Sequence, residues 1–320
     1  MRAAIITILS IASGLVVTCC SSAALADSTT TLHLGVWSRL TVADAGEIEI
    51  GIARLRPRAS LRVDQLRFGG KLELAAGRPE LLDGYVEAPL GTRTLVRAGR
   101  FKTPFSRLYS TSTAQLELPG RGLVVDYFAL GRALGVMVEW SDEARSDVGF
   151  GAFLMDSGPA LIGRGGIAIY GEVPSYQSAS LATAQPSGLS VGLDASYEHD
   201  WTLDDAITAG LDVQLVEGAF AVLAEGYVRD TVRGEGGATQ AVGAMLQGSL
   251  FVVPRRLQFV VRGGYLSVAL EAPRGSCELG LTLYVESTLA GDPQDVVLMA
   301  SALFEDETSS HLTLQLLTSL

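Results

Sequence analysis

The chain is poor in several things that most folds depend on. It holds three cysteines and three histidines in 320 residues, two lysines and no asparagine. Two of the cysteines, Cys19 and Cys20, fall in the first 26 residues, where Arg2, an apolar run from Ala3 to Val17 and Ala24-Leu25-Ala26 spell a cleaved secretory signal peptide. Cleavage would leave 294 residues with Cys277 alone, which excludes an internal disulfide framework in an exported chain. His33, His199 and His311 lie far apart, and no His-x-x-x-His or Cys-x-x-Cys spacing exists, so neither a metal centre nor an enzyme is expected, and no cofactor. Beyond residue 26 no apolar run reaches 18 residues, which excludes helical membrane spans although 48% of the chain is apolar.

What the chain does have is alternation. Between Glu49 and Asp64, Arg54, Arg56, Arg58 and Arg62 hold even positions, and Leu55, Pro57, Ala59, Leu61 and Val63 hold odd ones. Strand side chains alternate faces, so the stretch has one charged and one apolar face. Similar runs recur from Val148 to Leu320, for instance Leu279, Leu281, Leu283 and Val285 against Glu278, Thr282 and Glu286. Turn-forming groups such as Glu198-His199-Asp200, Gly291-Asp292-Pro293 and Gly163-Arg164-Gly165-Gly166 punctuate them. About sixteen strand-length segments can be marked, at the spacing that tilted membrane strands and their turns require. The expected fold is all-β: residues 27–320 form a transmembrane antiparallel β-barrel of about 16 strands, polar inside and lipid-facing outside. A soluble β-sandwich has the same period and is the competing architecture. Tyrosines and tryptophans near strand ends, from Trp37 to Tyr284, are candidates for interfacial girdles.

Charge is polarised along the chain. The formal net charge of -11 argues against a nucleic-acid partner, yet Gly51 to Arg107 carries ten arginines and two lysines against five acids.

The order of motifs in Ile48–Trp140 carries a resemblance. An arginine strand (Ala53-Arg54-Leu55-Arg56-Pro57-Arg58-Ala59) precedes Asp83-Gly84-Tyr85-Val86-Glu87 and Gly99-Arg100-Phe101-Lys102-Thr103-Pro104-Phe105. Ser110-Thr111-Ser112 follows, and the stretch closes with Gly131-Arg132-Ala133-Leu134-Gly135-Val136. This set resembles the phosphate-selective porin O and P family of Gram-negative outer membranes. It departs from that family where Pro57 stands at a basic position and where the chain closes on Leu320 instead of an aromatic. The resemblance implies a barrel of about sixteen strands in the cell outer membrane, usually a homotrimer, passing small anions or other small hydrophilic solutes. It places an inward-folding loop at Ser106–Arg121. Candidate pore-lining and anion-binding residues are Arg54, Arg56, Arg58, Arg62, Lys102, Arg107 and Arg121, because a guanidinium stays charged and offers forked donors to oxyanions. Two rival functions stand beside the porin: a non-conducting outer-membrane barrel acting as scaffold or adhesin, and a secreted sandwich that binds a ligand.

Overall fold

A computed structural model describes residues 30–44, 48–74, 78–112, 116–142, 145–171, 187–201, 204–232, 237–254, 256–289, 292–305 and 309–319. The expected signal peptide, Cys19, Cys20 and Leu320 lie outside them. The strands run in sequence order: β1 (Thr30–Asp44), β2 (Ile48–Val63), β3 (Leu66–Glu73), β4 (Glu80–Pro89) and β5 (Thr94–Lys102). Two short helices follow, α1 (Arg107–Ser110) and α2 (Leu123–Phe128), and then β6 (Arg132–Asp142), β7 (Ser146–Leu154), β8 (Pro159–Gly171), β9 (Ser187–His199) and β10 (Asp205–Glu217). The chain ends with β11 (Phe220–Val232), β12 (Ala238–Val253), β13 (Leu257–Val268), β14 (Arg274–Leu289), β15 (Asp292–Glu305) and β16 (Ser309–Ser319). Each strand pairs antiparallel with its sequence neighbours, and β1 pairs with β16 from Trp37↔Ser319 to Asp44↔Leu312, closing the barrel. Closure matters because an open edge in hydrocarbon would leave a row of unmet backbone groups, each costing several kcal/mol.

The alternation is inside-out relative to a soluble protein. In β10, Thr208, Asp212 and Gln214 are almost fully buried, whereas Ile207 on the opposite face is 61% exposed. The same split runs through β6, where Leu134, Val136, Val138 and Trp140 point outward, and through β9, where Ser190, Asp194 and Ser196 point inward and Leu193 is 63% exposed. A sandwich would bury its leucines and solvate its acids, so the soluble alternative fails on this pattern. Among the described residues no helix is long and apolar enough to cross a membrane; the crossing elements are the strands.

Two expectations need correction. Gly163-Arg164-Gly165-Gly166 is no turn: it lies within β8, paired to Gly192–Ala195 of β9 and Asp147–Phe150 of β7. Only its glycine content suggested a turn; its neighbours carry ladder hydrogen bonds on both sides. The aromatics also divide between faces instead of forming girdles alone. Trp140, Tyr170, Tyr197, Trp201 and Tyr265 are exposed, but Tyr109 and Tyr227 are buried in the lumen and Tyr284 donates inward to Gln258. Pro57 does not break its strand; it sits opposite Val36 in an unbroken stretch of the β1–β2 ladder, and the register shift falls instead at Arg39/Leu40.

Candidate functional site: a lumen divided by an inserted segment

Residues 103–112 and 116–131, between β5 and β6, fold into the barrel and carry both helices. The inserted segment is longer than the Ser106–Arg121 loop read from sequence, because α2 and the return to Arg132 also lie inside. Its apolar side chains explain why it enters. Phe105, Leu108, Leu116, Val124, Val125 and Phe128 pack with Phe101, Met137, Phe153, Ile162, Leu223, Tyr227 and Met245 from the wall. Phe105, Tyr227 and Phe128 form a stack, with centroids 5.7 Å and 5.1 Å apart. A barrel whose wall faces inward with charge thus gains a small apolar core of its own.

Most of the polar contacts that fasten the segment run to one wall. At its start, Ser106 adopts a positive φ of 64°, an uncommon conformation for a non-glycine residue. Three contacts hold it there: its N–H donates to Asp194 Oδ1 (3.1 Å), its Oγ donates to Glu225 (2.9 Å), and that Oγ accepts from the Tyr109 N–H at the head of α1. Glu225 also accepts from the Leu108 N–H and the Tyr227 hydroxyl. Arg107 donates to Asp212 (2.5 Å) and Gln214 (2.9 Å), while Arg164 bridges Asp194 and Asp212. Further along, Glu117 accepts from Gln247 (2.6 Å), Ser249 (3.1 Å) and Gln258 (2.6 Å), and its carbonyl accepts from Thr282. Arg262 donates to the Gly120 carbonyl. Gly122, at φ 83°, then turns the chain into α2; a Cβ there would stand 2.8 Å from Arg262 Nε. Every one of these wall partners belongs to β8–β14.

Arg107 is therefore a fastening residue by geometry, buried at both ends of its ion pair. Arg107→Ala is expected to cost about 3–5 kcal/mol, since it leaves Asp212 and Gln214 short of a partner. Urea titration of the refolded barrel in detergent, followed by the gel shift between folded and unfolded forms, measures this.

The opposite wall is cationic. Arg54, Arg56, Arg58, Lys71, Lys102 and Arg132 of this wall, together with Arg121 of the insertion, lie within electrostatic reach of one another in a continuous chain. The carboxylates in their midst are largely spoken for: Glu73 holds Arg56 at 2.5 Å, and Asp83 holds Arg132 at 2.7 Å. Among the described residues Arg54, Arg58, Lys71, Lys102 and Arg121 make no ion pair. Lys102 Nζ instead donates to the Tyr109 and Thr111 carbonyls (2.9 and 3.0 Å), and Arg121 donates to those of Leu108 and Thr111 (3.2 and 3.0 Å). Both cations thus meet at one oxygen, and both lie over the Tyr109 ring at 5.3 and 5.1 Å. Burial lowers the Arg121 guanidinium to about 10, which leaves it protonated at neutral pH, and raises the carboxyl of the neighbouring Asp126 above the usual carboxylate range.

Of the expected site residues, then, the fold gathers Arg54, Arg56, Arg58 and Lys102 on one wall, with Arg121 of the insertion beside them. Arg62 stands apart beside Arg67, near the β2–β3 turn. Sequence reading missed Lys71 and Arg132, which the ladder sets opposite Arg58 and Lys102 on adjacent strands. It also missed Glu225 and Arg262, whose contacts with the insertion span 117 to 142 residues of chain, and Arg164, which holds Asp194 30 residues on.

Two open cavities flank the cationic chain. One, about 600 Å³, lies between Arg54, the Pro119–Tyr127 part of the insertion and Arg262, Arg274 and Glu278. The other, about 280 Å³, lies against β4–β7 and includes Lys102.

A closed sixteen-stranded barrel with a polar lumen, an apolar exterior and a segment folded into the lumen is the architecture of outer-membrane porins. The family model described as phosphate-selective porin O and P matches residues 53–184, which bears out the resemblance read from the motifs. Solved structures share the fold. The anion-selective porin from Comamonas acidovorans is 15% identical, covers 91% of this chain and 99% of its own, and has a TM-score of 0.60. The trimer form of in-vitro folded OmpT, an outer membrane protein of Vibrio cholerae, is 11% identical over 91% of this chain and 100% of its own, with a TM-score of 0.65. The outer membrane channel DcaP of Acinetobacter baumannii is 10% identical over 94% and 100%, with a TM-score of 0.61. No curated protein matches the chain.

Proposed function

We propose that the protein is a passive porin of the outer membrane that prefers small anions, exported through the signal at residues 1–26 and assembling as a trimer. The observation that carries the preference is the asymmetry of the lumen: the insertion is bolted to the β8–β14 wall and leaves Arg54, Arg58, Lys71 and Lys102 without carboxylate partners on the other, with Arg121 of the insertion beside them. Lys102 and Arg121 are held at neutral carbonyls and not at carboxylates, and a staircase of shallow sites lets an anion move without being trapped. In this reading Arg54, Arg58, Lys102 and Arg121 line the pore and Arg62 sits at a mouth. Arg56 and Arg107 position their neighbours, since each is committed to a buried carboxylate.

The test is the reversal potential of refolded protein in a planar bilayer under a potassium chloride gradient. Discrete current steps with an anion-directed potential are expected. A cation-directed potential would remove the anion preference but keep the porin. A second reading, a closed barrel serving as scaffold, draws on the aromatic stack that fills part of the lumen; a correctly folded barrel that passes no current would favour it.

A further inference from the structure

An anion preference does not account for the larger cavity, the one of about 600 Å³. A path that works by positive charge alone would line it with cations, yet it holds as many acids as arginines: Arg54, Arg262 and Arg274 against Asp126, Glu278 and Glu305. These charges are unevenly available. Arg262 and Glu278 are buried and bonded to each other, Arg274 has Glu271 at 4.0 Å, and Glu305 is not free either. Arg54 and Asp126 are different: among the described residues neither side chain makes an ion pair or a hydrogen bond. They stand close enough to feel each other's charge and too far apart to pair. Asp126, on α2, is exposed to the space the barrel encloses, and Arg54, on β2, is half-buried. The other charges around Asp126 are held elsewhere, Arg121 at two carbonyls and Arg262 and Glu278 by each other. What remains is one open cation and one open anion on the same cavity, with a gap between them. Leu123, Tyr127 and Leu303, each at least partly exposed, add apolar surface to the lining.

We propose that this cavity is a subsite for small zwitterions, free amino acids above all: the carboxylate of the solute takes the Arg54 guanidinium, and its ammonium takes the Asp126 carboxylate. A simple anion meets only the first partner and a simple cation only the second. Charge-assisted hydrogen bonds are the strong ones, so a solute that makes both is held better than one that makes either. The volume suits a small-molecule site. The proposal rests on the conducting barrel of the reading above and adds to it a solute class without net charge.

Three solutes built on one carbon frame make the test: free leucine, 4-methylpentanoate, which lacks the ammonium, and 3-methylbutylammonium, which lacks the carboxylate. Each is titrated against the ionic current through the refolded barrel in potassium chloride. Leucine is expected to block at a concentration at least fivefold below that of either analogue. Arg54→Gln and Asp126→Asn each remove one partner without breaking an ion pair among the described residues, and each is expected to raise leucine's blocking concentration at least threefold. Both variants also change the potential of the lumen. Leucine carries no net charge, so that change does not by itself move its blocking concentration, whereas loss of the site does. If one variant fails to assemble, the other still decides. Leucine that blocks no better than its analogues, in a barrel that shows discrete current steps, would overturn the subsite and leave the porin standing. So would a leucine block that is unchanged in an assembled variant. A correctly folded barrel that passes no current would overturn the reading beneath it.

Discussion

Glu117→Ala is expected to free the middle of the inserted segment while leaving the barrel closed, and to show this as noisy single-channel current with a raised mean conductance. Glu117 is buried and accepts from Gln247, Ser249 and Gln258 on β12 and β13. Hydrogen bonds to a charged group are worth about 1.5–3 kcal/mol each, and removing the acceptor leaves three buried donors to find water. Allowing for non-additivity, a loss of about 4 kcal/mol falls on the segment, not on the sixteen-strand ladder, whose backbone hydrogen bonds do not involve Glu117. The segment keeps its other anchor at Ser106 and Arg107, so it swings instead of leaving. Single-channel recording reads the noise, and limited proteolysis from the bath reads access to the chain near residue 117. A quiet channel of unchanged conductance would mean that the apolar packing of Val124, Val125 and Phe128 holds the segment by itself.

How much of this could be read from the chain depended on the range of the interaction. Alternation is a property of neighbours, so the strand segments and their faces were legible, and with them the barrel. The arginine staircase was legible for the same reason: Arg54, Arg56 and Arg58 share a parity whatever else happens. Which of these charges is free was not legible. Arg56 and Arg54 look alike in the sequence, yet one is committed to Glu73, 17 residues on, and the other is left open to the lumen. The anchoring of the insertion was less legible still. Ser106 meets Glu225 across 119 residues, and no local pattern marks either as a partner. Glu117 shows the same limit, since nothing near it in the chain marks its carboxylate as occupied by amides and a hydroxyl from the far wall.

The two walls also divide the work by chemistry. Carboxylates on β9–β11 hold backbone N–H groups, a serine hydroxyl and Arg107, all donors that a strand wall does not otherwise need. This uses acids where they are buried and matched, and leaves the acid-poor stretch from Gly51 to Arg107 to face the open lumen. The uneven charge along the sequence is thus converted into an uneven charge across the pore. Net charge of the whole chain says nothing about this, which is why an acidic protein can present a basic path.

Reversing the open cations is accordingly expected to reverse the channel. In Arg54→Glu combined with Arg58→Glu, four units of charge change on the wall without breaking any ion pair among the described residues. A unit charge about 8 Å from a passing ion contributes about 2 kcal/mol at an effective dielectric of about 20, and salt screening reduces this to about 1. The combined change then exceeds about 2 kcal/mol, more than tenfold in the chloride-to-potassium permeability ratio, enough to turn an anion-directed reversal potential into a cation-directed one. Arg56→Ala is expected to act differently, lowering stability through the stranded Glu73 with a smaller effect on selectivity. Acid should move the native channel the other way. The Asp126 carboxyl, flanked by Arg121, Arg54, Arg262 and Glu278, is held above the usual carboxylate range by burial. It therefore takes up its proton earlier than a free aspartate as pH falls from neutral, which is expected to remove a negative charge beside Arg54 and raise the anion preference. Reversal potentials at pH 7 and pH 5 in the native chain and in Asp126→Asn check this: the native preference should rise on acidification, and the asparagine variant should start high and change less.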